Sequence, residues 1–68
     1  MTVVKVTELI GVSNESWDDA VRNAVRDAAK TIHNITGVEV MHTTAKVKDG
    51  KLTEYRATVR IAFGLTDR

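Results

Sequence analysis

Residues Ser13 to Ile35 read SNESWDDAVRNAVRDAAKTIHNI, and this stretch decides the fold. Its apolar residues fall at Trp17, Ala20, Val21, Ala24, Val25, Ala28, Ile32 and Ile35. Counted from Trp17 the offsets are 0, 3, 4, 7, 8, 11, 15 and 18, a single stripe along an α-helix. Asp18, Asp19, Arg22, Asn23, Arg26, Asp27 and Lys30 make up the solvated side. The spacing predicts one long helix of roughly 30 Å, with Ser13 as N-cap and Trp17 packed in the core. Glu15, Asp18 and Asp19 suit its positive end and Lys30 and His33 its negative end, with Gly37 as the stop. Such a helix is not stable until its stripe is covered, so the flanking segments must cover it.

Upstream, Val3 to Ile10 predicts a strand, rich in β-branched residues and ended by Gly11. Val4, Val6 and Ile10 share one parity and Val3 and Leu9 the other, so both faces of this strand are partly covered. Downstream the period changes to two. Thr53, Tyr55, Ala57, Val59, Ile61, Phe63 and Leu65 alternate with Glu54, Arg56, Thr58, Arg60, Ala62 and Gly64, a half-buried strand. In the segment before it, Met41, Ala45 and Val47 share one face and Val38, Val40, His42 and Thr44 the other.

Lys48-Asp49-Gly50-Lys51 predicts a hairpin. A loop of Lys48 to Gly50 pairs Val47 with Lys51 and sets Met41, Ala45 and Val47 beside Tyr55, Ala57 and Val59. A tighter Asp49-Gly50 turn moves Val47 to the face of Glu54 and Arg56 unless a bulge compensates. The longer loop is therefore the expected one. The fold class is α+β in the order β-α-β-β, an antiparallel sheet of three strands packed on the helix. A right-handed crossover from the first strand to the second leaves a slot for the third between them.

Composition narrows the function. The 68 residues make a single domain, 1–68, with little core of its own. There is no Cys for a disulfide or thiolate site, and His33 and His42 are too few for a His-only zinc site. Self-association is the expected source of the missing stability. Ten basic against nine acidic residues, net +1, give no footprint for nucleic acid, and the aromatics are only Trp17, Tyr55 and Phe63. No apolar run reaches the ~20 residues of a membrane span and no signal peptide opens the chain, so the expected compartment is the cytoplasm. No phosphate-binding Gly-rich loop, metalloprotease motif, EF-hand loop or nucleophile with its base is present, which argues against an enzyme. Asp18-Asp19 is read as solvated surface charge.

Taken together, Val4-Lys5-Val6 with Gly11-Val12-Ser13, Ile32-His33-Asn34-Ile35 into Val38-Glu39-Val40, and Glu54-Tyr55-Arg56 with Ile61-Ala62-Phe63 resemble the dodecin family over nearly the whole chain. The resemblance implies a hollow homododecamer of 23 symmetry that binds riboflavin or FMN for storage, as a flavoprotein without turnover. It also implies paired flavins at two-fold-related sites between subunits, stacked on a Trp near the start of the second strand and bonded by a Gln on the last.

Matched by the same residues, the ligand-binding positions here are Gly37, next to Val38, for the Trp; Arg56 for the Gln; and His42 for an acidic residue near the site mouth. No residue is assigned a catalytic or metal-binding role. Loss of the Trp implies a weakened flavin site. Trp17, at the far end of the helix on its inner stripe, is not expected to replace it. Arg56, with His42 on the same sheet face, can hold an anion, or it pairs with Glu54 or Glu39 across subunits. The alternatives are a cage holding an anionic cofactor such as coenzyme A or FMN, a cage holding a metal ion, and a purely structural shell.

Overall fold

The computed structural model describes residues 3–65. The elements are β1 (Val4–Ser13), α1 (Trp17–Ala28), β2 (Ile35–Lys48) and β3 (Lys51–Gly64), and the sheet runs β1-β3-β2 with both pairs antiparallel. The expected β-α-β-β order and the central place of the last strand are both present.

The helix is shorter than its apolar stripe. Ser16, not Ser13, is the N-cap: its backbone is extended and its hydroxyl accepts from the Asp19 backbone N–H at 3.0 Å. Gly11 does not end the first strand, which runs on to Ser13. Ser13 is buried there, donating to Asp19 Oδ2 at 2.8 Å and accepting from the Glu15 N–H at 2.9 Å. At the other end Ala29 is the C-cap, followed by tightened bonds from Lys30 N to Asp27 O and Thr31 N to Ala28 O. Asn34, at φ 62°, redirects the chain into β2, and Gly37 lies inside that strand. Ile32 and Ile35 therefore leave the helix yet still pack against the core, which is why their spacing imitated a further turn. Ser16→Ala should cost about 1 kcal/mol, a fall in Tm of about 4–8 °C at fixed protein concentration.

The core is built at close range. Ala20, Ala24 and Ala28 of α1 are buried against Ala57, Val59 and Ile61 of β3, with Leu9, Val21 and Val25 packed around them. A row of Ala at four-residue spacing lets the helix lie almost on the sheet at Gly11, which is itself buried. Trp17 is not core. It is 37% exposed, its Nε1 donates to the Thr44 carbonyl at 2.8 Å, and its ring meets Tyr55 edge-on at 4.9 Å. It fastens the start of α1 to the hairpin.

The hairpin takes the tighter turn. Lys48 pairs with Lys51 around Asp49 and Gly50, at φ 54° and 77°. Both central residues are left-handed, as a type I′ turn demands, and this turn matches the strand twist. Two of the three register shifts between β2 and β3 reset which side chains face the helix. The one between Lys46 and Val47 adds Thr53 to β3, so Ala45 pairs with Tyr55 and Val47 keeps the helix-side face. The one between Val40 and His42 makes Met41 the extra residue. It moves Val38 and Val40 to the helix side, opposite Ile61 and Val59, away from the face that alternation alone assigned them.

Each hairpin strand has 14 residues, about 46 Å, whereas the 12-residue helix spans about 18 Å. The chain measures 52 × 19 × 13 Å and its radius of gyration is 13.9 Å, against about 11 Å for a compact chain of this length. Apolar side chains consequently stand uncovered on both faces: Val38 and Val40 on the helix side, and Val4, Val6, Ile10 and Val12 on the other.

Candidate functional site

The face of the sheet turned away from α1 carries most of the residues singled out in the sequence. The strand registers fix it as rows across the three strands. From one end these are Val6, Ala62 and Gly37; then Glu8, Arg60 and Glu39; then Ile10, Thr58 and His42. Val12, Arg56 and Thr44 follow, and last come Glu54 and Lys46. Alternation along each strand sends these side chains out together.

His42 and Arg56 stand in adjacent rows, so the fold brings these two together. Gly37 shares their face but is level with Ala62, six residues along β3 from Arg56, or about 20 Å. Val38 presents its side chain on the helix side and adjoins the others only through its backbone. Within one subunit the four expected residues therefore do not line a single pocket. Two clefts flank α1, one lined by Ser13, Asn14, Glu15 and Asp19 and one by Leu9, Ile10, Ala24 and Asp27, and none of the four lines either.

Arg56 does not wait for a partner across subunits: its Nε donates to Glu54 Oε2 of its own strand at 2.8 Å. Lys46 approaches the same carboxylate oxygen at 4.0 Å. The cluster Lys46, Glu54 and Arg56 keeps one net positive charge, half exposed, beside His42. Arg60 leans towards Glu8 at 3.9 Å, with Glu39 facing it from β2. Sequence alternation alone did not place Glu39 on this face, because the Met41 bulge decides its side.

An aromatic side chain gives a flat ligand ring a stacking face. Among the described residues Trp17, Tyr55 and Phe63 all lie on the helix side, as the registers of Tyr55 with Ser13 and Phe63 with Lys5 require. At Gly37 no side chain is present, and a Cβ built there meets nothing within 4 Å. Among the described residues the outer face of one subunit therefore presents no aromatic ring. No group of three or more His, Asp or Glu among the described residues of one chain could hold a metal ion. No helix is long and apolar enough to cross a membrane.

A short β-α-β-β unit with one helix lying on a sheet that outruns it defines a class of small modules. The chain belongs to the dodecin family, whose model matches residues 3–66. It is 34% identical over 64 residues to the calcium dodecin of Mycobacterium tuberculosis, spanning 93% of this chain and 89% of that one. It is 28% identical over 65 residues to the dodecin of Thermus thermophilus, spanning 96% and 94%. The structure of the dodecin from Streptomyces coelicolor superposes with a TM-score of 0.92 at 30% identity, covering 98% of this chain and 96% of that chain. The crystal structure of the calcium-chelating calcium dodecin of M. tuberculosis gives 0.79 at 32% identity, over 90% and 87%.

Proposed function

We propose that this chain is a non-enzymatic small-ligand-binding protein, assembled as a homododecamer of single-domain subunits, whose flavin site is weakened. The observation that carries the reading is Gly37. At Gly37, the position that the resemblance matches to the stacking ring, there is open space, and the outer face carries no aromatic side chain among the described residues. Family membership supports the assembly and the binding role, and the uncovered apolar side chains on both sheet faces give the physical demand for partners. Titration of the wild-type protein with riboflavin, followed by flavin fluorescence and by native mass spectrometry, tests it. Twelve subunits with weak or no retained riboflavin is the expected result. Tight, stoichiometric riboflavin binding would overturn the weakening.

Arg56 favours a second reading, a ligand with an anionic group such as FMN or coenzyme A. The guanidinium is half exposed beside His42 and Lys46, and its Nε–H alone is spent on Glu54. FMN differs from riboflavin by one phosphate, so the two ligands isolate that contribution. Arg56→Gln should weaken FMN binding about tenfold while leaving riboflavin unchanged, the size of a charge-assisted contact. Equal loss for both ligands would count against a phosphate contact. The name of the M. tuberculosis relative makes a calcium ion the comparison ligand, added in a separate run.

A further inference from the structure

We infer that the outer sheet face holds a small alkyl-chain anion, with its acidic head at Arg56 and Lys46 and its aliphatic tail over Ile10 and Val12 of β1. The inference deepens the Arg56 reading above and rests on it: it adds what the rest of the ligand is and where it lies. Its basis is the division of the face across the strands. Val12 is level with Arg56, and Ile10 with Thr58, one strand or about 4.8 Å away. Thr44 and His42 continue these two rows on β2, and Lys46 lies one row further on, level with Glu54. The patch therefore runs from aliphatic on β1 to cationic and hydroxyl-bearing on β3 and β2.

Neither half suffices alone. Arg56 and Lys46 share the Glu54 carboxylate, which leaves one net positive charge, and an exposed ion pair of that kind contributes little by itself. An apolar body without charge has no reason to choose this face, because Val38 and Val40 stand uncovered on the opposite one. A ligand carrying both parts is the one the patch selects. Its tail meets aliphatic side chains and no ring, so the contact does not call for a flat ligand. Ile10 and Val12 are 58% and 41% exposed, about 7 Å apart, and Glu8 separates them from Val6 along the same strand. They are also held in place. Gly11 between them lies directly under the α1 backbone at Ala20, and Asn23 Nδ2 donates to the Val12 carbonyl at 3.0 Å. Such a platform loses little freedom when a ligand settles on it.

The test is displacement of the fluorescent dye anilinonaphthalene sulfonate from the assembled protein. Octanesulfonate should displace it from the wild type at a concentration at least about tenfold below that of methanesulfonate, since only the chain differs. Arg56→Gln should raise the octanesulfonate concentration required about tenfold, the size of a charge-assisted contact. Val12→Thr, which keeps a β-branched residue in the strand, should raise it about threefold. Octanol, the same chain without the charge, should respond to Val12→Thr and not to Arg56→Gln. Native mass spectrometry checks that the variants assemble, and the comparison of the two sulfonates on the wild type needs no variant. Equal displacement by the two sulfonates, or octanesulfonate binding that ignores Arg56→Gln, would overturn the alkyl-chain site. In either case the anion reading stands if Arg56→Gln still weakens FMN, and falls with it if FMN too is unaffected.

Discussion

Gly11→Ala should cost on the order of 3 kcal/mol or more, and Gly11→Val should leave no folded protein at 37 °C. A Cβ at Gly11 would lie 2.0 Å from the Ala20 carbonyl oxygen, 2.9 Å from its carbon and 3.0 Å from the Ala24 Cβ. The first two are backbone atoms of α1, which no side-chain rotation can move aside. The helix would have to lift by more than about 1 Å, and the contacts of Ala20, Ala24 and Ala28 with β3 would open along its length. A chain of this length has about 3–10 kcal/mol of stability in all, so one methyl group at Gly11 removes from about a third to all of it. Urea denaturation at fixed subunit concentration measures the loss. Gly37→Ala is the control, because open space surrounds that position and the change should be nearly neutral. If Gly11→Ala proved as stable as wild type, α1 would not approach β1 as closely as described.

Gly37→Trp combined with Arg56→Gln should raise riboflavin affinity tenfold to a hundredfold. A stacked ring contributes ~1–3 kcal/mol per contact, and each 1.4 kcal/mol is tenfold. The structure offers no steric objection: nothing lies within 4 Å of a Cβ at Gly37, and its φ is not left-handed. Arg56→Gln exchanges a cation held by Glu54 for an amide able both to donate and to accept. Flavin fluorescence quenching reads the affinity, and native mass spectrometry checks that the assembly survives. No rise in affinity with the assembly intact would mean that Gly37 does not lie beside the ring plane, and the matching of the pocket would fail.

Most of the architecture was legible because it rests on periodicity. The Trp17-to-Ala28 part of the apolar stripe, the alternation from Thr53 to Phe63 and the Asp49-Gly50 turn signal each have a direct physical meaning for the backbone. Boundaries were less legible. Ile32 and Ile35 sit at helical offsets, yet the chain has already left the helix, and burial in the connection serves the same apolar need. Gly11 looked like a strand end because glycine is rare in strands. It is there so that a helix backbone can approach, which depends on a partner 9 residues away in sequence, Ala20.

The candidate site was legible as residue types and not as a place. Alternation put His42 and Arg56 on the polar face, and the registers agree. It could not tell that Val38 and Val40 change sides at the Met41 bulge, or that Glu39 joins Arg60 in one row. A bulge is set by the competition between turn geometry and strand pairing over the whole hairpin, which no local window contains.

By itself the sequence determined the order of elements, the antiparallel sheet on one helix, and the scarcity of core and hence the need for partners. Those follow from spacing, composition and single-residue chemistry. Only the tertiary structure decided where the helix begins and ends, why Gly11 must be glycine, that Trp17 is a half-exposed fastener, and which charges share a row. Each of these depends on which atoms meet across elements, and that is settled by packing distance and strand register once the chain has folded.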